Sequence, residues 1–412
     1  VGNNNPTPTP TAAPTAKPVV LIWWDLFNTE KDVKPLIDAY TKDHPNVKIQ
    51  YIAKEYNADF NKYVKELDEA LVDEQQTPSI FPIYNTWAGK YESLVTKAPA
   101  SEINEAYFND YYPIVKKDFY NKGAIALPQS LDAIAIIYNL DKIQEKGYTE
   151  VATNWSEFKT MAQKLTTKTS ESKISSAGFS AGFYDNVQFR FDVFNNLMMV
   201  SGITMTDVNN KEAIFYNPEQ KDDTDTAYKF YKELASTTWS KDMKKDIAAF
   251  LDGKLAMYAA PSWRLIDILN YNKQYNLNLK IGVAPMPQLA NRVNYWPAYW
   301  GYAVSKTGQN SNEAWKFVKY LNETSSLQLL NKTVKDNGRP IGIIYPRISM
   351  NTDLAQDKYL GPYVNSLAKA DDWYMRDGLK MQSVFNNYLG QPIAQNDLSG
   401  LQSGANAVIK NQ

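Results

Sequence analysis

The sequence contains no cysteine and a single histidine, His44. Without thiols there is no disulfide framework and no thiolate metal site, and one imidazole leaves little for transition-metal chemistry. Reducing and oxidising compartments both tolerate such a chain. An excess of charge of either sign is also missing: 44 lysines and arginines stand against 45 aspartates and glutamates, a formal net charge of −1. Nothing in that balance attracts a polyanion, so nucleic acid is not expected as a partner. Long apolar runs are lacking too, none approaching the roughly 18 residues of a membrane-spanning helix. H-E-x-x-H, G-x-x-x-x-G-K-[ST] and G-x-G-x-x-G are all absent, which removes the motifs for zinc hydrolysis, P-loop phosphate binding and dinucleotide binding. No cofactor is expected.

What the chain has is length and polar aromatic rings. Its 412 residues exceed the size at which one core stops growing, so two domains are expected. At 44% hydrophobic and 22% charged residues, the composition is that of a globular protein. There are 28 tyrosines and 10 tryptophans against 16 phenylalanines. Rings with one apolar face and one hydrogen-bonding edge suit half-wet surfaces better than a dry core. They crowd in NYWPAYWGYAV, residues 294–304, around one proline and one glycine.

Residues 1–18, VGNNNPTPTPTAAPTAKP, carry no large apolar side chain and read as a tether. At roughly 3.1 Å per residue, proline-rich chain of this length reaches about 50 Å from an anchoring surface. VVLIWW, 19–24, has strand length and composition. Val33, Leu36, Ile37 and Tyr40 follow at helical spacing until His44-Pro45 stops them, and Val47, Ile49 and Tyr51 then alternate as a strand does. This βαβ opening predicts a parallel sheet covered by helices, with His44 an ordinary helix-end residue. Ile125–Tyr138 reads as two strands separated by Pro128-Gln129-Ser130. Asn154, with Glu157 three residues on, opens a helix whose buried face is Phe158, Met161, Ala162 and Leu165. Asp252-Gly253 turns into a strand over 255–260, after which Ser262 is the expected cap of a helix carrying Leu265, Ile266 and Leu269.

GFSAG, 178–182, fits the G-x-S-x-G pattern and puts Ser180 forward as a nucleophile. That chemistry needs a histidine after the serine, and the one histidine precedes it by more than a hundred residues, so a small-residue loop is the better reading. Carboxylate pairs such as Asp371 and Asp372 keep a glycosidase open as the rival, although 45 acidic residues always supply candidates.

Several ordered segments resemble the extracellular solute-binding proteins of ABC importers, of the carbohydrate-binding kind similar to maltose-binding protein. LIWWDLFNTEKDVKPLIDAYTKDHPNVKI is similar to the family's first strand and helix, and ALPQSLDAIAIIYNLDKIQEKG with TNWSEFKTMAQKLT to its commonest internal signature. FLDGKLAMYAAPSWRL, VAPMPQ, YWGYAVSKTGQNSNEAWKFVKYL and GRPIGIIYPR follow in the family's order, from Val19 to the C-terminus. The resemblance implies an α/β, two-lobed periplasmic-binding-protein-like fold of type II, each lobe a β-sheet flanked by helices, with a ligand cleft between them. It implies lobe 1 over 19–132 plus 286–322 and lobe 2 over 133–285 plus 323–412. The crossings are then expected near Leu131–Ala135, Val283–Pro287 and Leu321–Thr324, where a few element-terminal residues absorb hinge rotation.

The implied function is capture of a sugar, an oligosaccharide, by a monomer that hands it to an ABC permease without chemistry. The implied location is the outer face of a bacterial membrane, lipid-anchored through a residue preceding Val1, or the periplasm. Trp300, beside Gly301, and Trp263, in PSW, are the expected sugar-stacking rings, and Trp373 and Tyr374, in DDWY, a further pair. Asp132 in SLDA, Asp25 and Asn28 after the first strand, Tyr84, Asn85 and Trp87 in FPIYNTW, and Arg264 are the expected polar and aromatic partners. A pyranose has apolar C–H faces and a belt of hydroxyls, so flat rings cover the faces while carboxylates, amides and arginine take the belt. A receptor for a peptide or polyamine, and an adhesin using the tether as a stalk, are the alternatives among binding proteins.

Overall fold

The computed structural model describes residues 17–56, 60–73, 77–393 and 397–411. The expected tether, apart from Lys17 and Pro18, lies outside the described residues.

The apolar run after Pro18 forms β1 (Val19–Asp25), with Leu21, Trp23 and Trp24 buried. The helix Glu30–Asp43 follows, its Val33, Leu36 and Tyr40 turned inward and its first turn closed by Asp32, whose carboxylate accepts from the Thr29 N–H at 2.8 Å. His44 ends that helix: its ring stacks on Tyr40 at 4.0 Å and its Nδ1 lies 3.0 Å from the Tyr40 carbonyl. β2 (Val47–Ala53) then pairs with β1 in parallel, Leu21 opposite Ile49 and Trp23 opposite Tyr51. With β3 (Ile80–Tyr84), β4 (Ala126–Leu127) and a late strand over 300–304 they form one mixed sheet in the order β2-β1-β3-late strand-β4. Trp23 anchors its interior, meeting Tyr51, Tyr302 and Phe317 edge-on with ring centres 5.1–5.5 Å apart.

The two strands expected within 125–138 do form, but in different sheets. After β4 the chain passes through Asp132 into β5 (Ala135–Asn139), the fourth position of a second sheet. Its other members are β6 (Thr167–Lys168), β7 (Ile174–Phe179), β8 (Leu255–Ala260) and β9 (Ile281–Pro285), in the order β6-β7-β8-β5-β9. β5 is buried on both faces, Ile134 and Ile136 turning into one core layer and Ala135 and Ile137 into the other, hence the unbroken apolar run. Asn154 caps the helix Trp155–Leu165 as expected, its Oδ1 accepting from the Ser156 and Glu157 N–H groups at 2.8 and 3.4 Å. Gly178 of GFSAG has a packing role: a Cβ there would lie 1.8 Å from the Ala162 carbonyl oxygen of that helix. Ser180 follows β7 in the second sheet while His44 ends a helix of the first, which leaves the serine without its base.

Two crossings differ from expectation. After β9, Met286 and Trp296 are still buried in the second core, and the late strand, β10 (Trp300–Val304), begins only after the chain has passed Pro297. There Ala133 bridges Pro297, and Ala298 N–H donates to the Asp132 carbonyl at 2.9 Å. The return therefore falls inside NYWPAYW rather than at 283–287, because Trp296 has its pocket in the second core and Tyr299 in the first. Likewise the helix Thr324–Asp336 packs on Glu30–Asp43, on the first sheet's side, instead of leaving at 321–324. The chain next meets the first crossing at Ile344, whose carbonyl accepts from the Leu131 N–H at 2.9 Å, and reaches the second sheet with the helix Gly361–Leu367 beside β9.

Candidate functional site, an aromatic gap between two sheets

β1 and β3 run parallel and β10 antiparallel to β3, so the ends of β1 and β3 and the start of β10 lie on one edge. Asp25, Tyr84 and Trp300 share that edge, the place where open α/β sheets take their ligands. Facing them from the second sheet is the first turn of the helix Ser262–Gln274, which follows β8 and carries Trp263.

Two adjoining spaces open between these edges. One, of about 1090 Å³ including open solvent, is lined by Asp25, Asn28, Asp132, Trp263 and Trp300 among others. The second, of about 680 Å³ on the same measure, is lined by Tyr84, Trp87, Trp263 and Trp300. Trp263 and Trp300 thus line both, one from each sheet, and each is only half-buried.

Trp300 is held by its own side's rings: Trp87 at 4.8 Å edge-on, Phe60 at 4.9 Å and Tyr84 at 5.2 Å. Trp263 is backed by the Arg264 guanidinium, 4.7 Å above its ring, a cation–π contact. Arg264 is fixed by Asp267 at 2.6 Å and Gln188 at 2.9 Å, so its charge is spent positioning Trp263 and not on reaching into the gap as expected.

The carboxylates are similarly engaged. Asp25 accepts from the Leu26 N–H at 2.7 Å, Asn28 Nδ2 at 2.8 Å and the Tyr51 hydroxyl at 3.1 Å. Asn28 Oδ1 in turn accepts from Arg339 at 3.2 Å. Asp132 accepts from the Ser262 N–H at 2.8 Å and its hydroxyl at 2.6 Å, so the expected cap is reversed: Ser262 is the donor, and a carboxylate from the crossing closes the helix. Burial lifts Asp132 to about 7 against these hydrogen bonds, and likewise lifts Asp192, in the second space, to about 7.

Three expected site residues lie elsewhere. Trp373 is 4% exposed in the second core, packed on Phe215 and Phe385 and donating to Asn195 Oδ1 at 2.9 Å. Asn85 and Tyr374 line a third cavity, Asn85 Nδ2 donating to Asp372 at 2.7 Å. Sequence reading missed Phe60, whose ring stands 6.5 Å from Trp263 as well as 4.9 Å from Trp300, and Tyr56 stacked upon it at 5.0 Å. It also missed Phe189, Gln188 and Asp192 on the far wall, and Arg339. Of these only Arg339 carried a signal, within GRPIGIIYPR. Among the described residues no group of histidine, cysteine, aspartate and glutamate could hold a metal ion, and no helix is long and apolar enough to cross a membrane.

Two sheets whose edges face one another across a ring-lined gap define a solute-binding architecture. The model for bacterial extracellular solute-binding proteins matches residues 28–326, and the chain belongs to that family. Similar solved structures include the GacH receptor of Streptomyces glaucescens, solved unliganded and with acarbose: 18% identity, TM-score 0.71, 96% of this chain and 97% of that one. The cyclic alpha-maltosyl-1,6-maltose binding protein of Arthrobacter globiformis matches at 15% identity and TM-score 0.74, over 96% and 100%. An ABC transporter solute-binding protein of Thermotoga lettingae, bound with alpha-D-tagatose, matches at 17% and 0.74, over 96% and 100%.

Proposed function

We propose that the protein captures an oligosaccharide in the gap between Trp263 and Trp300 and delivers it to a membrane permease of the ABC type at the outer face of the cell. The observation that carries this reading is that two half-buried tryptophans, one from each sheet, line the same pair of spaces. Flat rings on opposite walls suit the two C–H faces of a sugar, and two adjoining spaces suit a ligand of more than one ring. The acarbose and cyclic alpha-maltosyl-1,6-maltose named with two similar structures support an oligosaccharide, and the tagatose of a third supports a sugar.

Binding and not turnover is the output. Contacts divided between the two halves favour whichever arrangement brings them together, in proportion to the ligand's differential affinity. A polyamine is disfavoured by the state of the acids, since Asp25, Asp132 and Asp267 already serve Tyr51, Ser262 and Arg264. A thermal-shift screen of small glycans, followed by calorimetry and product analysis, tests the reading. The expected result is a stabilising glycan bound at one per chain and recovered intact. Cleavage of the glycan, or stabilisation by polyamines or peptides alone, overturns it.

A further inference from the structure

The second of the two spaces, about 680 Å³ including open solvent, differs in its chemistry from the first. Phe60, Trp87 and Trp300 wall it from one half of the molecule, and Phe189 and Trp263 from the other. The rings stand close together: Trp263 lies 5.8 Å from Phe189 and 6.5 Å from Phe60, and Trp300 4.9 Å from Phe60 and 4.8 Å from Trp87. Each ring face carries the negative end of a quadrupole. Among the described lining residues there is no lysine or arginine, and Asp192 is the one acid.

Asp192 is 7% exposed and sits in the first turn of the helix Arg190–Val200. The groups acting on its carboxylate are its own backbone N–H and the Trp296 indole, whose Nε1 is too poorly placed to complete a hydrogen bond. In this it differs from Asp25, Asp132 and Asp267, which already serve Tyr51, Ser262 and Arg264. The Arg264 guanidinium backs Trp263 from 4.7 Å, but Asp267 meets that charge at 2.6 Å. A buried carboxylate without a counter-charge is costly, which is why burial lifts Asp192 to about 7. Aromatic faces and an uncompensated carboxylate share one complement: both attract an ammonium group, and the attraction is stronger where water is excluded.

We propose that the second space is a cation box that receives an ammonium group of the ligand, with Asp192 as its counter-charge and the tryptophan and phenylalanine rings as its walls, so that the captured glycan carries an amino sugar. The amino-sugar part rests on the reading of the gap as a sugar site. The box does not, because any small cation of the right size tests it. A single ammonium suffices, in keeping with the engaged acids of the first space.

Choline and 3,3-dimethylbutan-1-ol have nearly the same shape, and only the first is charged. Each is titrated into the full chain at low salt, with tryptophan fluorescence as the readout. Choline is expected to bind at least about tenfold more tightly than the alcohol, and Asp192→Asn is expected to remove that advantage. Should the variant fail to fold, a raised salt concentration serves instead, since it weakens a charge-dependent contact and leaves the alcohol unaffected. In the glycan screen, the hits are expected to bear a free amine, and N-acetylation of a hit is expected to weaken it by about tenfold or more. Equal binding of choline and the alcohol, no binding of choline, or a preference that survives in Asp192→Asn overturns the box. A neutral glycan that binds as tightly as its amine-bearing counterpart overturns the amino sugar and leaves the sugar reading standing. Choline selectivity with no glycan bound keeps the box and removes the sugar.

Discussion

The Asp132 carboxylate and Ser262 are joined twice, the backbone N–H at 2.8 Å and the hydroxyl at 2.6 Å meeting one oxygen. The first crossing between the sheets is thereby tied to the helix turn that presents Trp263, so the crossing and the ring lining the gap are one unit.

Burial of the Asp132 carboxyl, working against this tie, makes stability depend on pH. Asp132 is raised to about 7 by burial, so the stability it contributes is fully present below the ordinary carboxylate pKa and is lost as pH rises through about 7. In Asp132→Asn the fall in melting temperature between about pH 5 and about pH 8 should be shallower than in the parent. Asp192, also raised to about 7, keeps the variant's profile from becoming flat. Parallel profiles would refute the assignment.

Trp263→Ala and Trp300→Ala should each weaken sugar binding by about tenfold or more, the loss of roughly 1.4 kcal/mol. Calorimetry with a glycan found by screening reads this directly, and unchanged affinity in both variants would remove the site.

Trp373→Ala should behave in the opposite way. Its ring lies in the second core, so truncation should cost about 3–5 kcal/mol of stability. Denaturant unfolding is the measurement, with sugar affinity little changed under conditions where the variant is folded. A variant of unaltered stability that no longer binds would put the ring back in the site.

Phe60 has a left-handed backbone, φ 58°, yet holds a ring between the two tryptophans. Phe60→Gly should relieve about 1 kcal/mol of backbone strain while removing the ring, leaving melting temperature nearly constant and weakening sugar binding. Tighter binding in this variant would mean the ring blocks the gap instead of lining it.

Gly178→Ala should destabilise the second half, since the added methyl meets the Ala162 carbonyl in a packed helix–strand contact. A lowered unfolding midpoint is expected, whereas Ser180→Ala should leave any esterase background unchanged.

Local pattern was enough for the strands and helices. VVLIWW had to be a strand, Asn154 with Glu157 had to open a helix, and Asp252-Gly253 had to turn, because propensity, capping and alternation act within a few residues. The order of segments was enough for the family, and through it for finding Trp263 and Trp300 on the walls of the gap. The second and third crossings were not legible: they rest on Ala133 meeting Pro297 and Leu131 meeting Ile344, contacts between residues more than 150 positions apart.

Roles within the site divide in the same way. The sequence determined by itself the βαβ opening and the capped helices, since these follow from periodicity and residue type, while the two lobes and the places of Trp263 and Trp300 came through the resemblance. Only the tertiary structure decided that Asp132 closes a helix, that Arg264 backs a ring, that Trp373 is core and that Phe60 reaches the gap. Each of these depends on which distant partner claims a side chain's hydrogen bonds or its apolar face, and a linear pattern carries no information about such competition.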